Sequence, residues 1–122
     1  MTHKILVIED TEDNRQIIRD LLTSVGYDLV EANDGAAGVQ AAKDHRPDLI
    51  LMDIQLPVMD GYQATRAIKA EASLKHIPII AVTSYALSGD EEKTRQAGCD
   101  GYISKPFSPR NLLALIRKFL PQ

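Results

Sequence analysis

Five side chains able to do chemistry each close an apolar run in this chain. Glu9 and Asp10 end ILVIED, Asp53 ends LILMD, Thr83 follows IIAV, and Lys105 follows YIS. Each has an ordinary explanation alone. Glu9 and Asp10 can cap a helix, Asp53 can be a solvated turn residue, Thr83 a β-branched strand residue and Lys105 a solvated terminus. A carboxylate ending a doubly buried strand is costly to desolvate, however, unless something compensates it. Gathered in one place, three carboxylates against one ammonium leave two negative charges, which a hard divalent cation neutralises. Oxygen donors without His or Cys favour Mg²⁺. Mg²⁺ with a single lysine and a hydroxyl is equipment for phosphoryl transfer. Asp53 is then the natural nucleophile, forming an aspartyl phosphate.

Whether the five groups meet depends on the elements carrying them. Apolar runs recur at Ile5–Ile8, Leu29–Val30, Leu49–Met52, Ile79–Val82 and Tyr102–Ile103. Their lack of alternation reads as strands covered on both faces. Helical periodicity lies between them. Ile17, Ile18, Leu21, Leu22 and Val25 share one face of a first helix, which Gly26 terminates. A second helix runs from about Ala36 to Asp44. Asp60 caps a third, with Ala64, Ala67 and Ile68 inward. A fourth, highly charged, spans roughly Gly89 to Ala97. The last has Ser108 as cap and Pro109 at its first position, and buries Leu112, Leu113, Leu115, Ile116 and Phe119.

Strand–helix alternation throughout predicts an α/β fold, a parallel sheet wound with helices on both faces. The expected arrangement is five strands in the order 2-1-3-4-5, doubly wound with five helices. In such sheets ligands bind beyond the carboxyl ends of the strands, at the switch point between strands 1 and 3. Parallel strands bring Glu9, Asp10, Asp53, Thr83, Ser84, Ser104 and Lys105 to that one edge.

The 122 residues form one expected domain, with no linker, repeat or low-complexity tract, 44% apolar and 25% charged, with a net charge of −3. That balance argues against a nucleic-acid-binding face covering much of the surface. The single cysteine, Cys99, excludes an internal disulfide and reads as a buried or half-buried thiol. No run reaches the ~18 apolar residues of a membrane span, and the N-terminal run is too short for a secretory segment. A cytoplasmic location is expected.

With "ILVIED", "LILMDIQLPVMDGY", "IPIIAVTS" and "GCDGYISKPF" in place, the chain resembles the receiver domains of bacterial two-component response regulators over residues 1–122. It is most similar to single-domain division-control regulators and hybrid-kinase receivers. The resemblance implies a flavodoxin-like fold and phosphorylation at Asp53. It implies Mg²⁺ held by Asp10 directly, by Glu9 largely through water, by Asp53, and by the backbone carbonyl of Gln55. Thr83 would donate to the phosphoryl group, Lys105 would pair with it, the Lys105–Pro106 bond would be cis, and Tyr102 would turn inward when Thr83 moves. Gln55 and Tyr85 occupy positions that vary in the family and bear on phosphoryl lifetime. The implied partners are a histidine kinase or histidine phosphotransfer protein and a downstream protein target, without nucleic acid or membrane, in a monomer or weak dimer. Asn14, Arg15 and Arg19 on the first helix, with Pro106 and Phe107, are the expected kinase-docking face.

Another reading is an Mg²⁺-dependent phosphatase with an Asp nucleophile. The dehalogenase-like kind wants DxD at the end of its first strand, where this chain has EDTED. A flavin or nucleotide module lacks its GxGxxG or Walker loop here. A degenerate receiver that only binds partners is weakened by the complete residue set. The chain stops at Gln122, just after the fifth helix. As a native end this makes the output protein contact or phosphate relay; as an excised end it leaves an output module missing.

Overall fold

A computed structural model describes residues 2–83 and 90–120. Strand β1 (Lys4–Ile8) leads to helix α1 (Glu12–Ser24), then β2 (Asp28–Ala32), α2 (Gly35–His45), β3 (Leu49–Asp53), α3 (Gly61–Ala70), β4 (Ile79–Thr83), α4 (Asp90–Ala97), β5 (Gly101–Ser104) and α5 (Pro109–Phe119). The strands form one parallel sheet in the order β2-β1-β3-β4-β5.

The local signals act as their chemistry requires. Asp60 accepts from the Gln63 N–H while the Gln63 side chain accepts from the Asp60 N–H, a complete capping box. Ser108 accepts from the Asn111 N–H, with Pro109 opening α5. Gly26, with φ of +94°, follows the last turn of α1 and returns its N–H to the Thr23 carbonyl. Asp34 caps α2 through the Ala37 N–H, so that helix begins at Gly35, earlier than its alanine run suggests.

Alternation along the strands divides the core. Ile5, Val7, Leu49, Leu51, Ile80 and Val82 meet Ile18 and Leu22 of α1 and Leu112 and Ile116 of α5. Leu6, Ile8, Ile50, Met52 and Ile79 face Ala42 of α2 and Ala64 and Ile68 of α3. Each fully buried Leu or Ile contributes about 1.5–3 kcal/mol relative to exposure. At the amino edge Lys69 donates to the carbonyls of Lys75 and Ile77 and pairs with Asp100 at 2.9 Å. The same Asp100 carboxylate accepts the Ile79 N–H, tying α3 to the starts of β4 and β5.

Ile17 departs from its expected place. It is 59% exposed while Ile18 and Leu22 are buried, so the inward stripe of α1 is narrower than its apolar residues. Three expectations lie outside the described residues: Ser84 at the end of β4, Tyr85, and Gly89 as the start of α4.

Candidate functional site

The carboxyl ends of β1, β3 and β5 bring Glu9, Asp53 and Lys105 into contact. Lys105 Nζ lies 2.6 Å from Glu9 Oε1 and 3.5 Å from Asp53 Oδ2. Glu9 and Asp53 are only 2% and 3% exposed, whereas Asp10 faces solvent. Oxygens of Glu9, Asp10 and Asp53 all lie within 4.8 Å of one another, a grouping that can hold a metal ion.

Backbone donors supplement the single ammonium. The Gln55 N–H donates to Asp53 Oδ1 at 3.1 Å, and the Thr11 N–H to Glu9 Oε2 at 3.2 Å. Burial, followed by the adjacent Glu9 charge, pushes the Asp53 carboxyl up to about 7. Burial opposes ionisation of Glu9 as well, but hydrogen bonds from Lys105, Asp53 and the Thr11 backbone hold it below the ordinary carboxylate range. Burial disfavours the Lys105 cation, yet its bond to Glu9 and the Asp53 charge keep it above the ordinary lysine value. The pocket therefore carries negative charge that one lysine does not neutralise. Oxygen-only donors with a solvent-facing Asp10 fit a hard divalent cation.

The β3–α3 loop closes tightly beneath Asp53. The Gly61 N–H donates to the Ile54 carbonyl at 2.9 Å. A Cβ at Gly61 would stand 2.4 Å from the Asp53 carbonyl oxygen and 2.6 Å from Ile54 Cα, so only glycine fits there. The sequence marks Gly61 only as the residue after a cap. In the same loop the Met59 N–H bonds the Pro57 carbonyl at 2.7 Å, around Val58 at φ +70°. That is a γ-turn of the strained, left-handed kind.

Thr83 is buried at the end of β4 and lines a neighbouring cavity with Gln55, Asp60, Tyr62 and Lys93. Alternation puts Asp53 on the α1/α5 face with Leu51, and Thr83 on the opposite face with Ala81. Thr83 pairs in register with Ser104 and Ala81 with Tyr102, so Thr83 and Tyr102 share a face. Tyr102 is half-buried and lines a cavity with Thr94, Cys99 and Phe119. The Lys105–Pro106 peptide bond is cis.

The first helix does not present the expected row of charges. The Arg15 side chain is only 14% exposed, held by Glu12, Glu31 and the Glu9 carbonyl, and Arg19 is bound to Glu31 and Glu12. Beside these paired charges lies a mainly apolar strip. Asn14, Ile17, Ile18, Lys105, Pro106 and Phe107 line a cavity of about 520 Å³.

A parallel 2-1-3-4-5 sheet with an acidic cluster and one lysine at its switch point defines a signalling domain of one class. Residues 5–117 match the response regulator receiver domain model, and the chain belongs to that family. It is 44% identical to the polar-differentiation response regulator DivK of Brucella ovis over 120 residues, 98% of each chain, and equally so to that of Brucella anthropi. The receiver domain of the sensor histidine kinase PA1611 from Pseudomonas aeruginosa is 40% identical, with a TM-score of 0.92 over the whole of both chains. That structure has a magnesium ion coordinated in its active site cleft. The chemotaxis response regulator CheY4 of Vibrio cholerae is 28% identical, with a TM-score of 0.92 over 98% of this chain and 99% of its own. Among the described residues no helix is long and apolar enough to cross a membrane.

Proposed function

We propose that Asp53 accepts a phosphoryl group from a histidine kinase or histidine phosphotransfer protein in an Mg²⁺-dependent relay step that switches a protein-binding surface. The observation that carries this reading is the Glu9–Asp10–Asp53 cluster with Lys105 reaching both buried carboxylates. Asp10, Glu9, Asp53 and the Gln55 carbonyl are the groups that would hold the ion. When bound, Mg²⁺ supplies positive charge to the phosphoryl oxygens. The ionised Asp53 oxygen attacks phosphorus, its new P–O bond replacing the donor's P–N bond, and the leaving imidazole nitrogen takes its proton from solvent water. Lys105 stands 3.5 Å from the attacking carboxylate, placed to pair with the charge on the transferred group. The domain promotes its own phosphorylation and dephosphorylation and turns over no separate substrate.

The phosphorylated site gains about one negative charge and three acceptor oxygens. Thr83 supplies the further donor. Its inward motion vacates space on the face it shares with Tyr102, whose ring then turns inward and alters the surface of α4, β5 and α5. The exposed Ile17, with Pro106 and Phe107, supports donor docking beside Lys105. The expected setting is the cytoplasm, as a monomer or weak dimer.

Labelling with acetyl phosphate tests the reaction. Phosphate is expected on Asp53 with Mg²⁺ and not with EDTA; labelling that survives Asp53→Asn, or ignores the chelator, overturns it. Thr83→Ala is expected to be labelled still but to leave Tyr102 and α4 without the NMR shift changes seen in the phosphorylated wild type.

A further inference from the structure

Arg15 is tied into the acidic site from behind. Its Nη1 donates to the Glu9 carbonyl at 2.8 Å, its Nη2 pairs with Glu12, and its Nε lies 3.4 Å from Glu31 Oε1. Glu31 is in turn gripped by Arg19 through two contacts of 2.7 Å each. One guanidinium thus joins the first turn of α1, strand β2 and the end of β1.

The carbonyl it holds belongs to the peptide between Glu9 and Asp10. Rotation of that peptide redirects both neighbouring side chains. The Glu9 N–H closes the ladder on the Ala32 carbonyl at 3.0 Å, so the peptide on the other side of Glu9 is the first beyond the sheet. Past that point Lys105 and the Thr11 N–H hold the Glu9 side chain, while Arg15 holds the carbonyl of the peptide itself. A planar guanidinium suits the task because its fork hydrogen-bonds a carbonyl and the Glu12 carboxylate while pairing with the Glu31 charge, which an ammonium cannot match in geometry.

We propose that Arg15, anchored by Glu31, is a positioning residue that sets the Glu9–Asp10 peptide for divalent-cation binding. This rests on the metal-dependent reading above and differs from a docking role for Arg15, which would act on the phosphodonor alone. Groups behind a metal site that orient its ligands commonly matter tenfold or more for affinity.

The test is a titration of the ¹⁵N-labelled chain with MgCl₂, following amide shifts at the carboxyl ends of β1 and β3. Arg15→Met is expected to weaken Mg²⁺ binding roughly tenfold, with Arg15→Lys intermediate and Glu31→Gln weakened in the same direction. A natively folded Arg15→Met that binds Mg²⁺ within about twofold of wild type overturns the proposal. So does slower transfer from a phosphohistidine protein at unchanged Mg²⁺ affinity, which would mark Arg15 as a docking residue. Should Arg15→Met fail to fold, Glu31→Gln decides, and unchanged affinity there overturns it. Absence of any saturable Mg²⁺ response in wild type would instead bring down the functional reading itself.

Discussion

Lys105 Nζ lies closer to Glu9 Oε1, at 2.6 Å, than to Asp53 Oδ2, at 3.5 Å. The lysine that should serve the nucleophile thus has the neighbouring acid as its nearer partner. Glu9 both occupies the cation and adds its own charge beside Asp53. In metal-free protein Glu9→Gln is therefore expected to lower the Asp53 pKa from about 7 by roughly a unit or more. Carboxyl ¹³C NMR across pH 3–9 reads this directly; an unmoved value would leave burial as the sole cause.

Burial of Asp53 also makes stability depend on pH. Its carboxyl titrates near 3.8 ordinarily and near 7 in the fold, so the folded state keeps a proton that the unfolded chain has lost. Its contribution is intact below about pH 4 and disappears as pH rises through 7. Without metal, Asp53→Asn is expected to be more stable than wild type by roughly 1–4 kcal/mol at pH 8. The difference should vanish toward pH 4 and shrink with Mg²⁺. Urea unfolding at several pH values checks it, and a difference independent of pH would contradict it.

Val58 holds a left-handed conformation at φ +70° while 85% exposed, so little packing rewards it. A β-branched residue is poorly suited to a γ-turn at positive φ, a conformation that glycine adopts without steric cost. Val58→Gly is expected to raise stability by about 1 kcal/mol, the relieved strain outweighing the added freedom of the unfolded chain. A lower urea midpoint than wild type would show that the side chain has contacts worth more than the relieved strain.

Tyr27 is 4% exposed, and its hydroxyl has no hydrogen-bond partner among the described residues. A buried hydroxyl left unpaired costs about 1–3 kcal/mol. Tyr27→Phe keeps the ring in the core beside Leu22 and Leu49 and removes the group. Its melting temperature is expected to equal or exceed that of wild type; a clear fall would reveal a partner for the hydroxyl.

Strand–helix alternation, the caps Asp60 and Ser108, and the stop at Gly26 were legible in the sequence because each is decided within a few residues. The polar ends of the apolar runs were legible too, since parallel strands leave their carboxyl ends no other edge on which to meet. Burial beyond the strands was not. Ile17 lies next in the chain to buried Ile18 yet faces outward, because the width of the face that α1 buries depends on how it seats against β1 and α5. The sequence presents Arg15 as an exposed docking residue, since nothing local says that Glu31, 16 residues on, lies beside it. Parallel pairing of β1 with β2 brings them together. The sequence by itself therefore determined the α/β order and which residue types crowd the switch point. The tertiary structure alone decided their pairing: Lys105 on Glu9, Arg15 behind Glu9, and Gly61 under Asp53. Those contacts join residues far apart in the chain, and their distances depend on strand register and helix packing that no local pattern encodes.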